Sequence, residues 1–375
     1  MSRVRIFPRA EKKLTTPDLP IDNPELQEKL TRRIREQPSV TEINDHSALS
    51  GLPLLTVSNL KMYFPVRKGL FGRPSSFVKA VDDVSFTIQR GETLGIVGES
   101  GSGKSTIGNC VMGNYKVTSG QLLYDGSDIA QMNKAQLRSL HKKLQMITQN
   151  PYASLNPRMT VHEIIIEGPC IHRTVTSEAE RLELSAQMLE LVGLNPAFSN
   201  RFPHEFSGGQ RQRISIARAL ALNPSFIICD EIVSALDVSI QAQIVGLMMK
   251  LQQELGLTYI FIGHDLSVVR HISNQVAVMY LGKLMVLTSS DELYDHPLHP
   301  YTQALISAAP IPNPTVDRSR DRILLQGDIP SPINPPKGCN FCTRCKYADQ
   351  HCREEEPSLV DIGGNHFVAC HRVSG

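Results

Sequence analysis

The chain has little net charge, no long apolar run and no apolar signal-peptide core in its first residues. The formal net charge is +2 over 375 residues, which removes the electrostatic reason to expect nucleic acid as a partner. No uninterrupted apolar stretch reaches the ~20 residues that a membrane span needs. The opening Met1-Ser2-Arg3-Val4-Arg5 lacks the apolar core of a signal peptide. These absences predict a chain that stays in the cytoplasm. Cysteine is sparse in most of the sequence: Cys110, Cys170 and Cys229 are scattered, whereas Cys339, Cys342, Cys345, Cys352 and Cys370 crowd the C-terminus. In a reducing compartment such a crowd points to metal rather than to disulfides. Apolar content of 41% and charged content of 20% are those of a soluble globular protein.

The most informative stretch is Gly98-Glu99-Ser100-Gly101-Ser102-Gly103-Lys104-Ser105-Thr106, which fits the phosphate-loop pattern G-x-x-x-x-G-K-S/T. Thr93 to Val97 before it reads as a buried strand and Ile107 to Met112 after it as a helix, so the glycines fall on a strand-to-helix turn. Glycine lets the backbone fold tightly enough for several N–H groups to face one anion, and the helix N-terminus adds its positive dipole end. Lys104 is expected to reach the β and γ phosphates, and the Ser105 hydroxyl to hold Mg²⁺.

Residues 1 to about 50 are polar, mixed in charge and proline-bearing, and are expected to be a largely disordered arm. One short helix is plausible there, with Asn23 as cap, Pro24 at its first position, and Leu26, Leu30 and Ile34 on one face. From Leu54 the texture changes to short strands: Leu54 to Leu60, Phe77 to Ala80 and Val84 to Ile88. Residues from about 150 to 220 are mostly helical in pattern, with an amphipathic stretch around Glu178 to Val192, and read as a helical insertion. Phe226 to Cys229, Tyr259 to Ile262 and Val276 to Met279 are short apolar runs suited to buried parallel strands, so the fold class is α/β. Beyond about Pro310 the chain becomes proline-rich, and a small appended module is expected there.

Two further segments carry chemistry. Four apolar residues run into Asp230-Glu231, a strand ending in two carboxylates. Asp230 is expected to anchor the Mg²⁺ shell and Glu231 to polarise the attacking water. In Phe206-Ser207-Gly208-Gly209-Gln210, Ser207 can cap a helix while the two glycines leave backbone N–H groups bare for another phosphate.

The order of phosphate loop, Gln149, S-G-G-Q, Asp230-Glu231, Ser234-Ala235-Leu236-Asp237 and His264 resembles that of an ABC transporter ATPase over about Leu54 to Leu305. The fold implied is a P-loop ABC nucleotide-binding domain over 51–305, with its helical subdomain at about 150–220 and a cysteine-rich module over 306–375. The resemblance implies two such domains closing head to tail, with Ser207, Gly208, Gly209 and Gln210 contacting ATP on the partner's phosphate loop. It also implies that Gln149 senses the γ phosphate, takes part in the Mg²⁺ shell and links to the membrane subunits. His264 would contact the γ phosphate, and Asp237 would join the two sites. An aromatic residue stacks on adenine in this family, and Phe64 fits the spacing better than the adjacent Tyr63. Ile232 stands where relatives commonly have proline, but both carboxylates are intact, so activity is expected to survive.

Gln149 to Met159, together with His296-Pro297-Leu298-His299-Pro300-Tyr301-Thr302, resembles the oligopeptide and dipeptide importer ATPases. That branch implies two transmembrane permease subunits, a second and paralogous ATPase subunit, and indirectly a periplasmic or extracellular solute-binding protein. The location implied is the cytoplasmic face of a bacterial membrane. Its tail pattern selects Cys339, Cys345, Cys352 and Cys370 as ligands of a 4Fe-4S cluster. Spacing alone would instead favour Cys339, Cys342, Cys345 and Cys352, and four thiolates suit Zn²⁺ equally. The rival function is a soluble ABC ATPase of DNA repair or translation with structural zinc, which the single cassette and the low net charge disfavour. Which peptide or other solute is carried is not readable from these residues.

Overall fold

A computed structural model describes residues 52–67, 74–309 and 322–374. The N-terminal arm and its expected short helix lie outside the described residues.

Two sheets form the framework. Strands β1 (Leu55–Arg67), β2 (Pro74–Ile88), β4 (Ser119–Tyr124) and β5 (Ser127–Asp128) make an antiparallel sheet in the order β2-β1-β4-β5. The larger sheet takes β3 (Thr93–Val97), β6 (Leu144–Ile147), β7 (Phe226–Asp230), β8 (Thr258–Ile262), β9 (Gln275–Tyr280), β10 (Lys283–Ser289), β11 (Val360–Asp361) and β12 (Phe367–Val368) in the order β11-β12-β10-β9-β3-β8-β7-β6. Neighbours from β9 to β6 run parallel, and the rest antiparallel. Every residue of β3, β7 and β8 is buried. That is why these strands read as unbroken apolar runs rather than alternating ones.

Helices follow the strands: α1 (Lys104–Val111), α2 (Lys134–Lys143), α3 (Pro151–Ser154), α4 (Val161–His172), α5 (Glu178–Leu191), α6 (Gly208–Leu220), α7 (Val238–Leu255), α8 (Leu266–Ile272), α9 (Ser290–Asp295), α10 (Pro300–Ala308), α11 (Gln350–Glu354) and α12 (His371–Ser374). Reciprocal capping boxes start four of them: Asn133 with Gln136 for α2, Thr160 with Glu163 for α4, Ser177 with Glu180 for α5, and Ser207 with Gln210 for α6. Each cap satisfies backbone donors that a helix leaves bare at its first turn. The stretch expected to be helical thus contains α3 to α6.

Two expectations change. Phe77 to Ala80 and Val84 to Ile88 are parts of one long strand, β2, interrupted by a bulge. Leu60 pairs with Val84 and Met62 with Val81, leaving Asp82 and Asp83 between registers, and Asp83 has φ of 64°. Two adjacent aspartates imitate a turn in the sequence, but here they mark a bulge.

The second concerns the tail, expected as a small appended module, which is joined to the larger sheet. β12 pairs with β10 at Val286–Val368 and Leu287–Phe367, and the Ala369 N–H donates to the Met285 carbonyl at 2.9 Å. Cys339, Cys342, Cys352 and Cys370 share one apolar cluster with Cys229 and Phe261 of the central strands. Phe341, 1% exposed, meets Tyr280 at 5.3 Å and Tyr301 at 5.2 Å between ring centres. The sequence carries no sign of this, because strand pairing across such chain separations leaves no local periodicity.

Because Phe341 bridges the tail and the sheet, Phe341→Ala should destabilise the whole fold by about 3–5 kcal/mol. Urea unfolding followed by far-UV circular dichroism should keep a single transition with a lower midpoint. A separate early transition, with the main one unmoved, would mean that the tail folds independently.

Candidate nucleotide site

The site lies at the carboxyl ends of β3, β6, β7 and β8. Gly98, Gly101 and Gly103 all have positive φ (147°, 78° and 104°), so the phosphate loop is built on backbone that L side chains rarely adopt. Lys104, 5% exposed, donates from Nζ to the carbonyls of Gly98 at 2.9 Å and Glu99 at 3.0 Å. Burial pulls the Lys104 ammonium below its ordinary pKa, and the carboxylates of Glu231, Asp230 and Glu99 act against that. The Ser105 hydroxyl donates to Asp230 Oδ1 at 2.8 Å. Burial raises the Asp230 carboxyl above the usual range, the Ser105 hydrogen bond lowers it, and neighbouring Glu231 raises it further. Ser100 lies in the turn and is exposed, Ser102 is buried, and Thr106 is half-buried in the first turn of α1.

Glu231 follows β7 in a left-handed conformation, φ 50°, with its N–H bonded to the Ile262 carbonyl at 3.0 Å. Gln149 Nε2 donates to Glu231 Oε2 at 2.8 Å, and His264 Nδ1 lies 3.7 Å from the same oxygen. Residues from three separate strand ends thus converge on one carboxylate. Strain in the backbone of a non-glycine residue is common where a side chain must be aimed.

The other expected residues are placed as follows. Ser207 caps α6 by accepting from the Gln210 N–H at 3.3 Å, while Gln210 Oε1 accepts from the Ser207 N–H at 3.0 Å. Among the described residues no hydrogen bond joins Ser207–Gln210 to the phosphate loop of the same chain. Gly208 lies against Leu236 and Gly209 against Ile240. Asp237 precedes α7 without a side-chain cap bond, and Ile232 is buried. Phe64 meets Tyr115 edge-on at 5.3 Å, whereas the Tyr63 hydroxyl donates to Asp82. That bond ties Tyr63 into a network with Lys79 and Lys283.

Ser105 and Asp230 offer a hydroxyl and a carboxylate oxygen, the donor chemistry that suits Mg²⁺. The tail is different. Cys339, Cys342, Cys345, Cys352 and Cys370 line one small cavity, yet among the described residues no group of three or more histidine, cysteine or acidic side chains is placed to hold a metal ion. The expected iron–sulfur or zinc site therefore lacks geometric support. Three residues without a role in the sequence motifs also adjoin the site: Glu99, Tyr301 and Arg344. The Tyr301 hydroxyl accepts from the Glu99 N–H at 2.9 Å, and Arg344 pairs with the Glu99 carboxylate. Arg344 had no local signal beyond its position between two cysteines.

Comparisons agree with this geometry. Residues 81–234 match the "ABC transporter" family profile, and residues 287–352 match "Oligopeptide/dipeptide transporter, C-terminal region". The chain is 56% identical over 322 residues to the oligopeptide transport ATP-binding protein AppF of Bacillus subtilis, covering 86% of this chain and 98% of that protein. It is 51% identical over 322 residues to OppF of Haemophilus influenzae, named likewise, covering 85% and 97%. Among solved structures, the dimeric ATP-binding cassette MJ0796 bound to ADP and Pi matches with a TM-score of 0.56 at 28% identity, covering 63% of this chain and 98% of that one. The cbiO1 protein of Clostridium perfringens, part of the ABC transporter complex cbiONQ, matches with a TM-score of 0.57 at 25% identity, covering 65% and 92%. Sequence, fold and site together place the chain in the ABC transporter ATPase family, in its oligopeptide/dipeptide transporter branch.

Proposed function

We propose that the chain is the ATP-hydrolysing subunit of an oligopeptide importer, coupling ATP hydrolysis to uptake through membrane permease subunits. The observation that carries this is the convergence of Gln149 and His264 on Glu231, beside Lys104 and the Ser105–Asp230 pair. Among the described residues no helix is long and apolar enough to cross a membrane, so the route for the peptide belongs to partners. The finer arrangement we propose is two permease subunits and a paralogous second ATPase, docked at the cytoplasmic face and fed by a solute-binding protein. The DNA-repair or translation reading loses ground because the matching relatives are named as transport proteins.

Within this reading, the phosphate-loop N–H groups and Lys104 hold the β and γ phosphates, and Phe64 stacks on adenine. Ser105, Asp230 and Gln149 would hold Mg²⁺, which supplies charge neutralisation at the phosphates. Glu231 accepts a proton from water at a carboxylate oxygen, while Gln149 and His264 keep that carboxylate and the γ phosphate in register. Ser207 to Gln210 of a second subunit, with Asp237 nearby, complete the site. For the tail, the five cysteines share one small cavity, but among the described residues no three of them stand as a ligand group, so a cysteine-held metal has their proximity alone in its favour. Metal analysis and a visible spectrum after anaerobic purification distinguish iron–sulfur, zinc and neither.

Two outcomes test the ATP site. Glu231→Gln should bind ATP about as well as the parent while turnover in the assembled transporter falls roughly 10²–10⁴-fold; unchanged turnover rules out Glu231 as the base. The loop glycines should also separate. A Cβ at Gly103 would lie 2.2 Å from the Ala80 carbonyl oxygen, whereas one at Gly101 meets nothing within 4 Å. Gly103→Ala should therefore abolish measurable ATP binding. Gly101→Ala should carry only the left-handed backbone cost of about 1–2 kcal/mol. Equal effects in a nucleotide titration would contradict the close approach.

A further inference from the structure

The phosphate loop is held from outside by the cysteine-bearing tail. Arg344 Nη1 lies 2.6 Å from Glu99 Oε2, and Nη2 lies 3.1 Å from Oε1. This is a two-pronged pair between positions 245 residues apart, and the arginine side chain is only 8% exposed. Glu99 is the second residue of the loop. Its carbonyl accepts from Lys104 Nζ at 3.0 Å, and its N–H is held by the Tyr301 hydroxyl. The guanidinium therefore grips the residue whose backbone sets where Lys104 points.

A second tie runs from the same turn of the tail. Asn340 Nδ2 donates to the Leu281 carbonyl at 3.1 Å, and the next residue, Gly282, donates its N–H to the Ser102 carbonyl at 3.0 Å. Asn340 and Arg344 flank Phe341, whose ring is fixed against Tyr280 and Tyr301. The turn itself is closed by N–H donation from Cys342 to the Cys339 carbonyl, and from Arg344 and Cys345 to the Phe341 carbonyl, each at 3.0 Å. A short turn bounded by cysteines thus touches the phosphate loop directly at Glu99 and through one intermediary at Ser102.

We propose that Arg344 is a positioning residue for ATP: through Glu99 it holds the phosphate loop in its binding shape, and the cysteine turn that carries Arg344 is thereby coupled to nucleotide affinity. This rests on the ATP-site reading above. A bidentate arginine–carboxylate pair fixes direction as well as distance, which a lysine cannot reproduce. Removing the Glu99 carboxylate leaves a nearly buried guanidinium uncompensated, whereas removing Arg344 leaves a half-buried carboxylate without its cation. Coupling of this kind is reciprocal, so nucleotide binding must in turn stabilise the Arg344–Glu99 pair.

The test uses the full chain assembled with its membrane partners, in parent, Arg344→Gln, Arg344→Lys, Glu99→Gln and the Arg344→Gln/Glu99→Gln double variant. Binding of ATP by the parent is measured first; if it fails, the ATP-site reading fails, not this inference alone. With the parent binding, each Gln single variant should raise KM and Kd for ATP at least about tenfold with a smaller change in kcat, the pattern of lost ground-state binding. The double variant should be no worse than the worse single one, and Arg344→Lys should fall between. Singles that multiply in the double variant, or that lower the melting temperature while leaving KM and Kd within about twofold, would overturn the proposal. If Arg344→Gln does not fold, Glu99→Gln, which alters only the loop side, decides on the same KM and Kd criterion.

Discussion

The parallel register of four neighbouring strands is the constraint on which the site depends. Ile96 pairs with Ile262, Ile262 with Asp230, and Cys229 with Ile147. Their carboxyl ends therefore stop nearly in line. The next few residues of each chain segment are Gly98, Gln149, Glu231 and His264, and they emerge at one edge. A slip by one residue in any pairing would turn the side chains of that strand to the opposite face. The unbroken apolar runs of β3, β7 and β8 make the sheet deep enough to resist such a slip. The left-handed Glu231 costs about 1–3 kcal/mol, and its N–H bond to Ile262 transfers that strain to the β7–β8 pairing.

What was legible in the sequence follows from how local each feature is. The phosphate loop, the Ser207 to Gln210 segment and the Asp230-Glu231 pair are contiguous, because several backbone N–H groups or a strand end must act together, so their chemistry is written in a few adjacent letters. Buried strands were legible for the same reason. The bulge at Asp82–Asp83 was not, because its polar residues imitate a turn. The place of the tail was not legible either, since β12 joins β10 through backbone bonds that any pair of sequences can make. The cysteine spacing drew attention to metal chemistry, while the residues between the cysteines, Asn340, Phe341 and Arg344, carry the contacts that the structure displays.

Electrostatics explain why the loop needs support from outside. Lys104 is buried, and its ammonium spends its donors on the carbonyls of Gly98 and Glu99. A buried cation is costly unless opposite charge lies near. Glu231, Asp230 and Glu99 supply that charge, but Asp230 and Glu231 also repel each other across a short distance. Glu99 is the carboxylate whose charge is matched by a separate cation. Arg344 therefore balances the loop as well as aiming it.

The second half of the site shows a comparable economy. Ser207 uses its side chain to cap its own helix, and a Cβ at Gly209 would lie 2.6 Å from Ile240 Cγ2. Glycine at that position is thus demanded by packing against α7, quite apart from any phosphate. Gly208 in turn faces Leu236, the residue before Asp237. The segment that would meet a partner's nucleotide and the turn that carries Asp237 are therefore one packed unit. The start of α6 is thus packed against the start of α7 at Gly208–Leu236 and Gly209–Ile240, which sets Asp237 beside the Ser207–Gln210 segment by packing as well as by position.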